Sequence, residues 1–189
     1  MESNDHFLDG KFLIAMPGMQ DPRFERSVVL ICSHTPEQAM GLIINKPVEG
    51  LAFGELMRRY DLHSDASLPD VPVMFGGPVE LSRGFFLHSP DYNGGENTRI
   101  VTEDLSLTAD VDILRAISEG RGPKRCLLAL GYAGWGEGQI ETEMLDNGWI
   151  HCDADATLVF DAEAETIWTK AIAKMGVDLS GLTGASGRA

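Results

Sequence analysis

The feature that most constrains this chain is residues 125–149, RCLLALGYAGWGEGQIETEMLDNGW. Five consecutive apolar residues, 126–130, are bounded by Arg125 and Gly131. A run of that length without polar alternation predicts a strand buried on both faces, and so the central strand of a sheet. Gly131, Gly134, Gly136 and Gly138 then recur around Tyr132 and Trp135, predicting a glycine-rich turn that packs closely on a neighbour and carries an aromatic anchor. A short acidic helix follows, with Ile140 and Met144 on one face and Asn147-Gly148 suited to the left-handed position past its end.

A strand, a glycine turn and a helix start invite a nucleotide-binding reading, because free amides at a helix N-terminus attract anions. The spacing matches neither G-x-G-x-x-G nor the P-loop. Glu137, Glu141 and Glu143 stand where a phosphate would sit. Such carboxylates interact favourably with the helix dipole by about 0.3–1 kcal/mol and repel a phosphate. A structural turn around Trp135 is the better reading.

Elsewhere, apolar runs predict strands at 11–15, 27–34, 41–45, 73–75, 84–88, 98–101, 149–151 and 157–160. Met16-Pro17-Gly18 ends the first, and Gly76-Gly77-Pro78-Val79 is a turn after the fourth. Helical spacing predicts helices over 51–59, from a Thr108 cap to about Ser118, and from an Asp161 cap through Ile167, Trp168, Ala171, Ile172 and Met175. Hairpin-like strands first, with helices inserted later, predict an α+β fold built on a mixed sheet rather than a doubly wound one. Residues 1–179 read as a single domain and the small, glycine-rich residues 180–189 as a mobile tail.

Composition narrows function more than it defines it. The chain has 15 Lys and Arg against 29 Asp and Glu, a net charge of −14 that repels phosphate backbones at long range. Direct nucleic-acid binding is therefore disfavoured. No apolar run approaches the roughly 18–20 residues that span a bilayer, and the acidic start, with Glu2, Asp5 and Asp9, is unlike a secretory signal. The expectation is a cytoplasmic protein without a membrane partner. Cys32, Cys126 and Cys152 form no C-x-x-C and predict no disulfide framework.

Candidate chemistry is sparse. No G-x-S-x-G elbow occurs, and Ser27, Ser33 and Ser82 with His34 and His88 read as solvated or hydrogen-bonded residues near strand ends. His151, Cys152, Asp153 and Asp155 cluster without paired zinc spacing, and neighbours on a strand point to opposite faces. No catalytic residue, cofactor or metal is expected. Asp21, Arg23, Glu25 and Arg26 read as a solvated loop in preference to the charged rim of a cleft. Glu141 and Glu143, two apart on a helix, do not face one another. Trp135, Trp149 and Trp168 read as core or interface anchors.

Several of these stretches together resemble one bacterial family, the YqgE/AlgH proteins. The matching pieces are Met16-Pro17-Gly18-Met19 with Asp21-Pro22-Arg23-Phe24, residues 27–32, residues 41–47, Gly76-Gly77-Pro78-Val79, and residues 131–136 with Gly138-Gln139-Ile140-Glu141. They keep the family's order between about Gly10 and Met175; Glu137 stands where the family often has proline. The resemblance implies a bent, partly barrel-like sheet and no established catalytic residue. Some members carry a label of transcriptional regulator linked to alginate production, and for so acidic a chain a regulatory role implies protein or small-ligand contacts.

Two functional readings stand. The preferred one is a non-catalytic binding or regulatory module whose recognition surface comprises Asn45, Gly76, Gly77, Pro78, Gly134, Trp135, Gly136, Gln139 and Glu141. The alternative is an enzyme with a cleft near the same turns, using Glu141, Asn45 or His34 as polar groups. Against both stands the reading in which these glycines only shape the fold.

Overall fold

The structure, a computed structural model, describes residues 7–63 and 68–182. In chain order the elements are β1 (Lys11–Ala15), β2 (Val28–His34), β3 (Gln38–Ile43), α1 (Phe53–Arg59), β4 (Val73–Phe75), β5 (Val79–His88), β6 (Thr98–Ile100), β7 (Ser106–Thr108), α2 (Asp112–Ser118), β8 (Cys126–Gly136), α3 (Gln139–Leu145), β9 (Trp149–Asp153), α4 (Ala156–Phe160), α5 (Ala164–Lys174) and α6 (Leu179–Leu182). The strands form one curled sheet in the order β6-β7-β5-β8-β3-β2-β1-β9, with β4 added beside β8. Every pairing is antiparallel except β4 with β8. The fold is α+β with a half-barrel sheet.

The apolar run at 126–130 is indeed the central strand: β8 pairs with β5 and β4 through its first half and with β3 through its second. The glycine-rich segment after it is not a turn. Strand β8 continues through Gly136, now alternating, with Ala133 and Trp135 buried and Gly134 and Gly136 exposed. Glycines mark the change of partner. Gly131 has φ +73, and a Cβ there would lie 2.4 Å from the Gly77 carbonyl oxygen. A Cβ on Gly77 would come within 2.0 Å of the Tyr132 backbone. The connection between β4 and β5 thus touches β8 backbone to backbone, and no larger residue fits at either glycine.

Burial follows the strand period. In β1 and β2, Phe12, Ile14, Val28 and Leu30 face the core roofed by Ile167, Trp168, Ala171 and Ile172 of α5. Leu13, Ala15, Val29 and Ile31 face a second core with Trp135, Ile140 and Trp149. Both faces are covered, which explains why these strands read as unbroken apolar runs. A third cluster packs α1 and α2 on Phe86 and Leu128.

The structure departs from the sequence reading elsewhere too. Thr108 does not cap a helix: it ends β7, its hydroxyl is buried in the sheet, and α2 starts at Asp112. Residues 157–160 lie in α4, where the Asp155 carboxylate accepts the Thr157 amide as a cap. Asp161 ends that helix, and α5 begins after Glu163. Of the expected tail, Ser180 falls in α6, and residues 183–189 lie outside the described ones.

Candidate functional site: a cleft around Glu143

A cleft of about 570 Å³ opens between the loop after β1, the end of β8, α3 and the start of β9. Its centre is a carboxylate held by two tryptophans. The Trp135 and Trp149 indole N–H groups both donate to Glu143 Oε2, at 3.0 and 2.8 Å. Gln139 Nε2 donates to Oε1 at 2.8 Å, and Gln139 Oε1 accepts the Gly136 amide at 3.0 Å. The glutamine therefore ties the helix to the strand it follows. Glu143 reaches the indoles because β8 and β9 carry Trp135 and Trp149 onto the same core face. Their rings meet edge to face at 6.0 Å, and Phe24 packs on Trp149 at 5.6 Å.

The helix is positioned at both ends. Gly138 takes φ +68 before α3, and Asn147 takes φ +58 after it. The Gly148 amide donates to the Glu143 carbonyl at 2.9 Å, closing the turn expected there. The Gly148 carbonyl accepts from the Met16 amide, fastening the loop after β1 to this end of α3. Along that loop Arg23 forms a 2.7 Å ion pair with Asp21, which holds the Asp21 carboxyl below its ordinary range. Both line the cleft as a charged rim, whereas Glu25 and Arg26 of the same loop do not.

Of the residues picked from sequence, Pro78, Gly134, Trp135 and Gln139 line this cleft. The others lie elsewhere. Asn45 bridges backbone, accepting from the Val28 amide and donating to the Arg26 carbonyl. Gly76 and Gly77 make the backbone crossing with β8. Gly136 is fixed through its amide to Gln139. Glu141 points away from Glu143, toward His34 Nε2 at 3.1 Å. His34 Nδ1 accepts the Leu8 amide, which leaves the ring proton on Nε2 facing Glu141. None of Asn45, His34 and Glu141 lines the cleft. The sequence reading missed Phe24, Glu143, Asp146 and Trp149 as site residues; for Phe24 the signal was Asp-Pro-Arg-Phe between two buried strands.

Among the described residues no three His, Cys, Asp or Glu side chains are grouped to hold a metal. No helix among them is long and apolar enough to cross a membrane.

The AlgH-like family model matches residues 12–180. This chain belongs to the AlgH-like family. Among AlgH-like relatives, a UPF0301 protein of Jannaschia sp. (strain CCS1) is 53% identical over 185 residues, covering 97% of this chain and 96% of its own. A UPF0301 protein of Caulobacter vibrioides is 46% identical over 189 residues, covering 100% and 97%. The solution structure of the AlgH protein from Pseudomonas aeruginosa superimposes with a TM-score of 0.78 at 39% identity, covering 100% of both chains. A Corynebacterium diphtheriae protein, DIP2367, shares the AlgH-like fold at 21% identity, with a TM-score of 0.71 over 92% of this chain and 90% of its own.

Proposed function

We propose that this AlgH-like protein is a non-catalytic cytoplasmic binding module, and that the Glu143 cleft is where it recognises a ligand or a partner's side chain. One observation carries the reading: a half-buried carboxylate, oriented by two indoles and a glutamine, sits in the wall of an open cleft. Preorganised polar groups on an apolar floor, within about 300–1,000 Å³, are the usual makings of a small-ligand site. Nothing comparable supports catalysis. His34 and Glu141 pair with one another outside the cleft, and Asn45 is consumed by backbone contacts. A regulatory role would then run through ligand or protein contacts, since a chain of net charge −14 repels a phosphate backbone.

The test is an unbiased library of small metabolites and short peptides, screened against ¹⁵N-labelled protein. Ligands should move the indole N–H signals of Trp135 and Trp149 and the Gln139 side-chain amide, and raise the melting temperature with concentration. A library that binds only at other surfaces, or nowhere, would overturn the reading.

A further inference from the structure

The identity of the group bound in this cleft can be argued further, on the binding reading just given. An ionised carboxylate offers about four acceptor positions. On Glu143 two are filled by the indoles and one by Gln139, leaving one on Oε1. All three donors are neutral, and no cation pairs with Glu143 among the described residues. Its charge is oriented but not compensated. Asp146, three residues further along and thus adjacent on that helix surface, also lines the cleft without a cationic partner among the described residues.

The rim shows what such a wall accepts. Arg23 rests on the Asp21 carboxylate at 2.7 Å with its guanidinium carbon 5.8 Å from the Phe24 ring centroid. One planar cation thus meets both a carboxylate and an aromatic ring. Arg23 is thereby engaged, and Glu143 and Asp146 have no equivalent.

We infer that the cleft binds an alkylguanidinium group, its head on Glu143 and Asp146 and its stem against Phe24 and Trp149. An anion would face three carboxylates against one arginine already paired. The net charge of −14 draws organic cations toward the protein. Guanidinium suits the site better than ammonium because it is weakly hydrated and stacks on rings.

Butylguanidinium and the peptide acetyl-Gly-Arg-Gly-amide are titrated into the wild-type protein, with butylurea and the citrulline peptide as neutral counterparts. The Trp135 and Trp149 indole N–H signals are followed by NMR. The guanidinium compounds should bind saturably, at least about tenfold more tightly than their neutral counterparts, and weaken as salt rises from about 50 to 300 mM. Asp146→Asn, an exposed change that leaves the indole contacts intact, should weaken binding about threefold or more. Binding by butylguanidinium alone points to a free small guanidine, and binding by the peptide alone to a partner's arginine; either supports the inference. Equal binding of the neutral compounds, or an unaffected Asp146→Asn, overturns it. If library compounds that are neutral or anionic shift the cleft signals and guanidinium compounds do not, the inference falls and the binding reading stands; if nothing shifts them, both fall.

Discussion

Trp135 and Trp149 share a single acceptor, one oxygen of Glu143, so two strands that are not neighbours in the sheet are joined through a third element. Truncating that carboxylate strands two largely buried indole N–H groups at once. Leaving a buried donor unsatisfied costs about 1–3 kcal/mol. Glu143→Ala should therefore lose about 2–4 kcal/mol in urea unfolding, with a changed tryptophan emission spectrum. A loss below about 0.5 kcal/mol would show that the indoles find other partners.

The glycines of the notional recognition surface divide sharply in what they tolerate. A methyl group at Gly77 meets the Tyr132 backbone at 2.0 Å, whereas at Gly134 its nearest neighbour is the Tyr132 ring at 3.5 Å. Gly77→Ala should prevent folding or cost more than about 3 kcal/mol, while Gly134→Ala should stay within about 1 kcal/mol of wild type. Circular dichroism melts of the two variants check this, and similar behaviour would contradict the backbone crossing.

His88 predicts a pH dependence. It lies fully buried, with Nδ1 at 2.7 Å from the Ser89 carbonyl and Nε2 at 2.8 Å from Thr108 Oγ1. A carbonyl only accepts, so the ring proton is on Nδ1 and Nε2 accepts from Thr108. Thr108 in turn accepts from Thr98, and Thr98 from the Gly94 amide. Burial pushes the His88 pKa below its ordinary 6.5, opposed by the bond to Ser89. The unfolded chain then binds the proton first, so stability present above about pH 6.5 is lost as pH falls toward the folded pKa, by at most about 1.4 kcal/mol per pH unit. His88→Gln should be less stable at pH 7.5 and decline less steeply between pH 7 and 5. Parallel declines for variant and wild type would remove His88 as the cause.

The thiols should be slow to react. Burial pushes Cys32 and Cys126 up to about 12, and raises Cys152 as well. At pH 8 the native protein should label with a thiol reagent far more slowly than the chain in denaturant, with the half-buried Cys152 ahead of Cys32. Immediate labelling of all three would mean that the sheet opens freely.

Much of the fold was legible from runs and periods: β1, β4 and the course of β8 through residue 130 follow from unbroken apolar stretches. The failures have physical causes. Gly134 and Gly136 looked like a turn because closely spaced glycines read as a bend, whereas here they occupy the exposed positions of an alternating strand and the close backbone approach falls at Gly131 and Gly77. Residues 157–160 are apolar and β-branched in part, yet α4 forms because Asp155 caps it and Leu158 and Val159 pack on the core. Strand β7 was lost because Thr108 suits a helix cap as well as a buried hydrogen-bond chain. The cleft was half visible: Trp135 and Gln139 stood out, whereas Glu143 and Trp149 gain their role only when α3 and β9 fold back.

The position of β8 also sets an order for biosynthesis. Strands β3 and β5 are each completed along an edge by a strand that the ribosome makes well after them. Until then their open edges face solvent, and at about 5–20 residues per second the wait lasts several seconds. Nascent chains stalled before residue 126 should therefore be the species most prone to aggregate or to be captured by a chaperone.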